Sequence, residues 1–217
     1  MGLGARHALE PDHLAAVSVL AADRGGARRG LLIGALWGIG HTLSLLACGL
    51  AVAIATARIP ARLTDLFEIA VAAMLVALGA RAVLQGFRKE TSRRAPPHGQ
   101  LHAPVGSARH HHVARPALAI RPLLVGAVHG LAGSGALVAL ATASFPTAAA
   151  RVAFIALFGF GSIAAMAAIS GLAGWPLARL ARSSTAGRTL LAVAGTTSVV
   201  LGVLCTWSSV QRLLQSM

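Results

Sequence analysis

The sequence predicts an all-α integral membrane protein whose six transmembrane helices form two inverted three-helix repeats. Three observations carry that expectation. The chain is too apolar for water, its basic residues crowd into alternate gaps between apolar runs, and two short motifs recur in order in the two halves. Of the 217 residues, 56% are apolar and 12% charged, and the mean hydropathy is +0.72. A soluble domain carries about 25% charged residues, so half of the usual solubilising surface is missing. That excludes an ordinary cytosolic enzyme, and also a disordered chain, which needs low hydrophobicity. Cys48 and Cys205 stand alone in apolar runs, which removes both a disulfide framework and a thiolate zinc site.

A span needs ~20 apolar residues, and six stretches qualify. The first, residues 3–22, is the least apolar and carries His7, Glu10, Asp12 and His13. It lacks a cationic leader and a plain apolar centre, so it does not read as a cleaved signal peptide. The second, 31–55, is apolar except for His41. The third, 66–87, has Asp65 and Glu68 at one mouth, which reads as a solvated helix end, and Arg81 near the other. The fourth, 122–143, holds His129 and a glycine-rich run; the fifth and sixth cover 150–174 and 189–210. Gly and Ala are abundant in all six, as suits helices packed closely through small residues in lipid.

The net charge of +13 is topological and does not mark a nucleic-acid surface. Basic residues sit in the gaps and form no stripe interleaved with aromatics. With six spans, one side carries five basic residues (Arg6, Arg58, Arg62, Arg151 and Arg212) and the other thirteen, including Arg24, Arg28, Arg29, Arg88, Lys89, Arg179 and Arg188. The richer side is cytoplasmic. Both termini are therefore expected outside, in the inner membrane of a bacterial cell.

The halves resemble each other. His7-Ala8-Leu9 in the first span corresponds to His129-Gly130-Leu131 in the fourth. Ala35-Leu36-Trp37-Gly38-Ile39-Gly40-His41 corresponds to Ala156-Leu157-Phe158-Gly159-Phe160-Gly161-Ser162, at offsets of 28 and 27 residues. Leu78-Gly79 and Leu201-Gly202 close the third span of each half. An odd number of spans per half forces opposite insertion, the inverted-repeat plan of many secondary transporters. The expected organisation is a first repeat over 1–87, a His-rich cytoplasmic linker over 88–121 and a second repeat over 122–217.

Ionisable groups inside a span cost a few kcal/mol each and mark function by default. The run His7-Ala8-Leu9-Glu10-Pro11-Asp12-His13 offers imidazole and carboxylate ligands of the kind that bind divalent first-row metals. A straight helix, at ~100° per residue, would splay Asp12 and His13 about 140° and 240° from His7. Pro11 removes a helical hydrogen bond and pushes aside the His7 carbonyl, so a kink there can bring the three side chains together and free that carbonyl as an extra ligand. The plainer alternative has His7 at headgroup level and Pro11 merely starting a helix. His41 lies at about the same depth as His13 and joins the candidate site, although a lone helical His is often a packing residue. His129, beside Gly130, Gly133 and Gly135, is the fifth metal candidate; a small-residue packing seam is its alternative. The linker histidines His98, His102 and His110 to His112 suit a metal-buffering loop or a simple flexible connection.

His7, Asp12 and His13, in the frame His-x4-Asp-His, resemble the signature of the nickel/cobalt transporter family. Gly40-His41-Thr42 resembles the Gly-His-Ser segment on that family's next helix. The stretch His129-Gly130-Leu131-Ala132-Gly133-Ser134-Gly135 is similar to short relatives grouped with urease- and hydrogenase-accessory membrane permeases. The resemblance covers most of the chain. It implies passage of Ni²⁺ or Co²⁺, uptake ahead of efflux, with His7, Asp12, His13 and His41 at the metal site and the ion as cargo rather than a resident cofactor.

Three function classes follow. The leading one is a secondary permease whose partners are a divalent metal ion and the lipid bilayer; no phosphate loop for a nucleotide is present. The second is a metal-sensing or assembly subunit of a larger permease. The third is a membrane acyltransferase using His7 and Asp12, which would leave His13 and His41 without a role. No His-Glu-x-x-His protease motif occurs, and the chain is expected not to be an enzyme.

Overall fold

A computed structural model of the chain describes residues 1–22, 26–55, 59–91, 117–180 and 184–215. Seven helices account for almost all of the described residues: α1 (Gly2–His7), α2 (Pro11–Ala22), α3 (Ala27–Ala55), α4 (Ala61–Thr91), α5 (Ala117–Ser144), α6 (Ala148–Leu180) and α7 (Ser184–Gln215). No strand occurs among them.

Four helices, α3, α4, α6 and α7, are long and apolar enough to cross a membrane. A fifth span is reached when the two parts of α5, Ala119–Gly133 and Ala136–Ser144, are taken together across a 55° bend. The first expected span is different. It is divided into α1 and α2, of 6 and 12 residues, and neither is long enough to cross alone. The bend of α5 falls in the run of glycines, whose backbone resists a regular helix more than any residue but proline.

The long helices overrun the apolar stretches that announced them. For example, α3 starts at Ala27, before the arginines Arg28 and Arg29, and α4 continues to Thr91. A helix keeps its hydrogen bonds after its side chains turn polar, and long basic side chains reach the headgroup layer from such ends. Of the linker expected over 88–121, residues 88–91 belong to α4 and 117–121 to α5; the remainder, 92–116, lies outside the described residues together with its histidines.

Between α5 and α6 the chain turns at Phe145 to Thr147. Thr147 caps α6 by accepting the Ala150 N–H on its hydroxyl oxygen at 3.2 Å, and Arg151 Nε donates to the Phe145 carbonyl at 2.8 Å.

Packing follows three close pairs. α3 lies against α6 and α5, and α4 against α7. Thr42 donates to the Gly159 carbonyl at 3.2 Å, Ser44 to the Ala127 carbonyl at 2.7 Å and Ser198 to the Leu75 carbonyl at 2.8 Å, one bond for each pair. On α5, Gly126 and Gly130 let the backbone of α3 approach so closely that a Cβ would meet the carbonyl oxygens of Trp37 and His41. That proximity sets His41 and His129 side by side.

Many large apolar side chains point outward, including Leu66, Leu84, Phe87, Leu124, Leu157, Phe160, Leu172 and Trp207. A water-soluble monomer does not expose so much contiguous apolar surface. In an integral membrane protein these side chains face lipid.

Candidate metal centre

The site begins at the break in the first apolar stretch. α1 ends at His7, the chain turns through Ala8, Leu9 and Glu10, and Pro11 opens α2, where its missing N–H is no loss. The His7 carbonyl, expected to be freed, instead accepts the Glu10 N–H at 3.0 Å. The turn also holds the His7 ring, whose Nδ1 is 3.0 Å from Glu10 Oε1. The consequence is convergence: the His7 and His13 rings, which a continuous helix would point apart, have centroids 4.5 Å apart.

Two long helices complete the cluster at mid-length. α3 contributes His41, with ring centroids 5.2 Å from His7 and 5.4 Å from His13. α5 contributes His129, 4.2 Å from His13. Asp12 bridges two rings: Oδ1 is 3.1 Å from His13 Nδ1 and Oδ2 is 2.8 Å from His129 Nε2. All five expected residues, His7, Asp12, His13, His41 and His129, are thus brought together from α1, α2, α3 and α5. They make two overlapping groups, His7 with His13 and His41, and Asp12 with His13 and His129. Within each group one ligand atom per residue lies within 4.8 Å of the others.

Burial makes this arrangement demanding. His13, His41 and His129 expose 1%, 0% and 2% of their surface, yet His13 Nε2, both nitrogens of His41 and His129 Nδ1 have no hydrogen-bond partner. A buried polar atom without a partner costs about 1–3 kcal/mol, so four in one place require an explanation. A divalent cation of borderline softness provides one, because it takes imidazole lone pairs directly.

Sequence reasoning did not place two aromatic residues in the site. Trp37 lies 5.5 Å from the His13 ring and 5.7 Å from that of His129, and Phe158 lies 5.3 Å from that of His7. They occupy corresponding positions in the recurring motif, Trp37 in Ala-Leu-Trp-Gly and Phe158 in Ala-Leu-Phe-Gly, and that recurrence was the available signal.

A cleft of about 290 Å³ reaches the cluster. His7, Asp12, His13 and His129 line it, and its rim carries the exposed residues Glu10, Ser208 and Arg212. Here Asp65 and Glu68 differ from the solvated helix end expected of them. Asp65 is buried, and its Oδ1 accepts Arg212 Nε at 3.1 Å. Glu68 accepts both from Arg212 and from Ser209 Oγ, the latter at 2.8 Å. The packing of α4 on α7 supplies the partners that sequence order concealed. A second cavity, about 320 Å³, has mainly apolar walls such as Val19, Ile33, Leu78 and Val125. Its ionisable groups are Arg81 and Arg121, which repel a cation.

Fold and cluster together define a class: a polytopic α-helical membrane protein with an imidazole and carboxylate centre buried at mid-length of its helices. Comparison with known proteins identifies the family. The chain is 31% identical over 201 residues to the urease accessory protein UreH of Bacillus sp. (strain TB-90), spanning 93% of this chain and 86% of that protein. It belongs to the UreH family, within the nickel/cobalt permease-like group that its motifs resemble. Like that accessory protein, it is not an enzyme. No family model and no solved structure matches the chain.

Proposed function

We propose that this protein is a secondary transporter that moves Ni²⁺ and/or Co²⁺ across the cell membrane, with uptake as its direction. The four partnerless buried nitrogens of His13, His41 and His129 carry the reading. Neutral imidazoles beside one carboxylate suit a partly dehydrated divalent transition ion. Kinship with a urease accessory protein agrees with nickel as cargo. His7, Asp12, His13, His41 and His129 form the metal site, and the ion is substrate rather than cofactor.

In this reading the chain is two inverted three-helix repeats, α1 with α2, α3 and α4 against α5, α6 and α7. The helix contacts support that division. α3 pairs with α6 and α4 with α7; α3 touches α5 as α2 touches α6; α4 touches α5 as α2 touches α7. Exchanging the halves converts each of these contacts into itself or into another of them. Trp37 and Phe158, equivalent in the motif, both lie on imidazole rings. Both termini face outward and the cleft opens on their side. Rocking of one half against the other then presents the ion to the cytoplasm.

The test is transport by the purified protein in lipid vesicles, with Ni²⁺ or Co²⁺ outside and a metal-quenched dye inside. Flux that disappears in His13→Ala supports the reading, and a proton gradient imposed or collapsed identifies the coupling. Tight metal binding with no flux in any condition would overturn transport in favour of a sensing or assembly role.

A further inference from the structure

Asp12 is the only carboxylate in the two ligand groups, and its hydrogen bonds conflict with a ligand's role. A carboxylate only accepts. At 3.1 Å and 2.8 Å, its two oxygens therefore take the N–H of His13 Nδ1 and the N–H of His129 Nε2. Those bonds fix the tautomers, leaving lone pairs on His13 Nε2 and His129 Nδ1. These are the very atoms that are buried without a partner.

The opposite assignment fares worse. An ion held by Asp12 together with His13 Nδ1 and His129 Nε2 would move both ring protons to the other nitrogens. Two N–H groups would then be buried with no acceptor, at about 1–3 kcal/mol each. With Asp12 as acceptor, both of its hydrogen bonds are kept and the ion takes up His13 Nε2 and one nitrogen of His41, so fewer buried nitrogens are left without a partner. The group of His7, His13 and His41 needs no carboxylate, and its ligand atoms already lie within 4.8 Å of one another. A ligating imidazole ordinarily donates its second N–H to a carboxylate or carbonyl.

We infer that Asp12 does not bind the transported ion but acts as a positioning residue that orients His13 and His129, so that the ion meets an all-imidazole shell built on His7, His13 and His41. This rests on the transport reading above. It has a functional consequence: a shell of neutral ligands leaves the ion's charge uncancelled at first contact, so that the ion is held by geometry and released when the halves rock apart.

Two measurements test the assignment on the full chain in lipid nanodiscs. In the first, Asp12→Asn, whose amide oxygen can still accept one N–H, weakens Ni²⁺ binding by about 10–100-fold. Its bound Co²⁺ keeps the visible absorption bands of the wild type and its bound Ni²⁺ the same imidazole count by X-ray absorption. The second uses the unmutated protein and so survives a variant that fails to fold. With ¹³C in the side-chain carboxyls of the three aspartates, infrared difference spectra on adding Ni²⁺ keep the splitting between the asymmetric and symmetric carboxylate stretches. A changed splitting, or altered Co²⁺ bands in Asp12→Asn, overturns the inference while leaving the transport reading intact. No binding of either metal by the wild type overturns both.

Discussion

Two clusters of ionisable side chains share one cleft, and they are finished to different degrees. At the rim, the Arg212 guanidinium, the Asp65 and Glu68 carboxylates and the Ser209 hydroxyl bond one another, tying α7 to α4. Deeper in, Asp12 satisfies one nitrogen each of His13 and His129, and four other imidazole nitrogens are left with nothing. Both clusters would look alike in a count of charges. Their hydrogen bonds separate them: the outer one is complete as it stands and holds helices together, whereas the inner one leaves buried imidazole nitrogens open.

The sharpest break between the clusters is His13→Ala. His13 belongs to both ligand groups, so its loss should lower Ni²⁺ affinity by more than the ~100-fold that accompanies loss of an outer partner, with flux into vesicles falling to background. His129→Ala should cost about tenfold, because Asp12 keeps His13 while losing its second donor; isothermal titration measures both. Acidity should act on metal binding through the inner cluster's imidazoles. A protonated imidazole has no lone pair, so protons compete with the metal, and Ni²⁺ affinity should fall as the medium is acidified. Quenching of Trp37 fluorescence by bound Ni²⁺, corrected with a Trp37→Phe control, reports that titration beside the site. The smallest effect on binding is expected at the rim. Arg212→Gln should leave Ni²⁺ affinity within about twofold while reducing stability by about 1 kcal/mol, as befits a half-exposed ion pair; thermal unfolding in nanodiscs checks it. Loss of metal binding in that variant would erase the distinction drawn between the clusters.

Parts of this contrast were legible in the chain and parts were not. The ionisable run from His7 to His13, set in an apolar stretch, was conspicuous because burial of such groups is expensive. Pro11 announced an interruption, although the His7 carbonyl was then taken up by the Glu10 N–H. Asp65 and Glu68 were misread, since their partners Arg212 and Ser209 stand more than a hundred residues away and reach them only through the α4 and α7 pairing. Trp37 and Phe158 were visible as a repeated pair, but their contacts with imidazole rings were not.

Composition and local pattern alone determined that the chain lives in lipid as helices, that Pro11 interrupts its first apolar stretch and that imidazoles and a carboxylate stand within apolar stretches. Each of these follows from solvent transfer or backbone sterics, which act residue by residue. Only the tertiary structure decided which of those groups meet, which nitrogens are left open and which carboxylates are already taken. Such matters depend on close approach between helices distant in sequence, permitted here by Gly126 and Gly130 against α3, and no local rule contains that information.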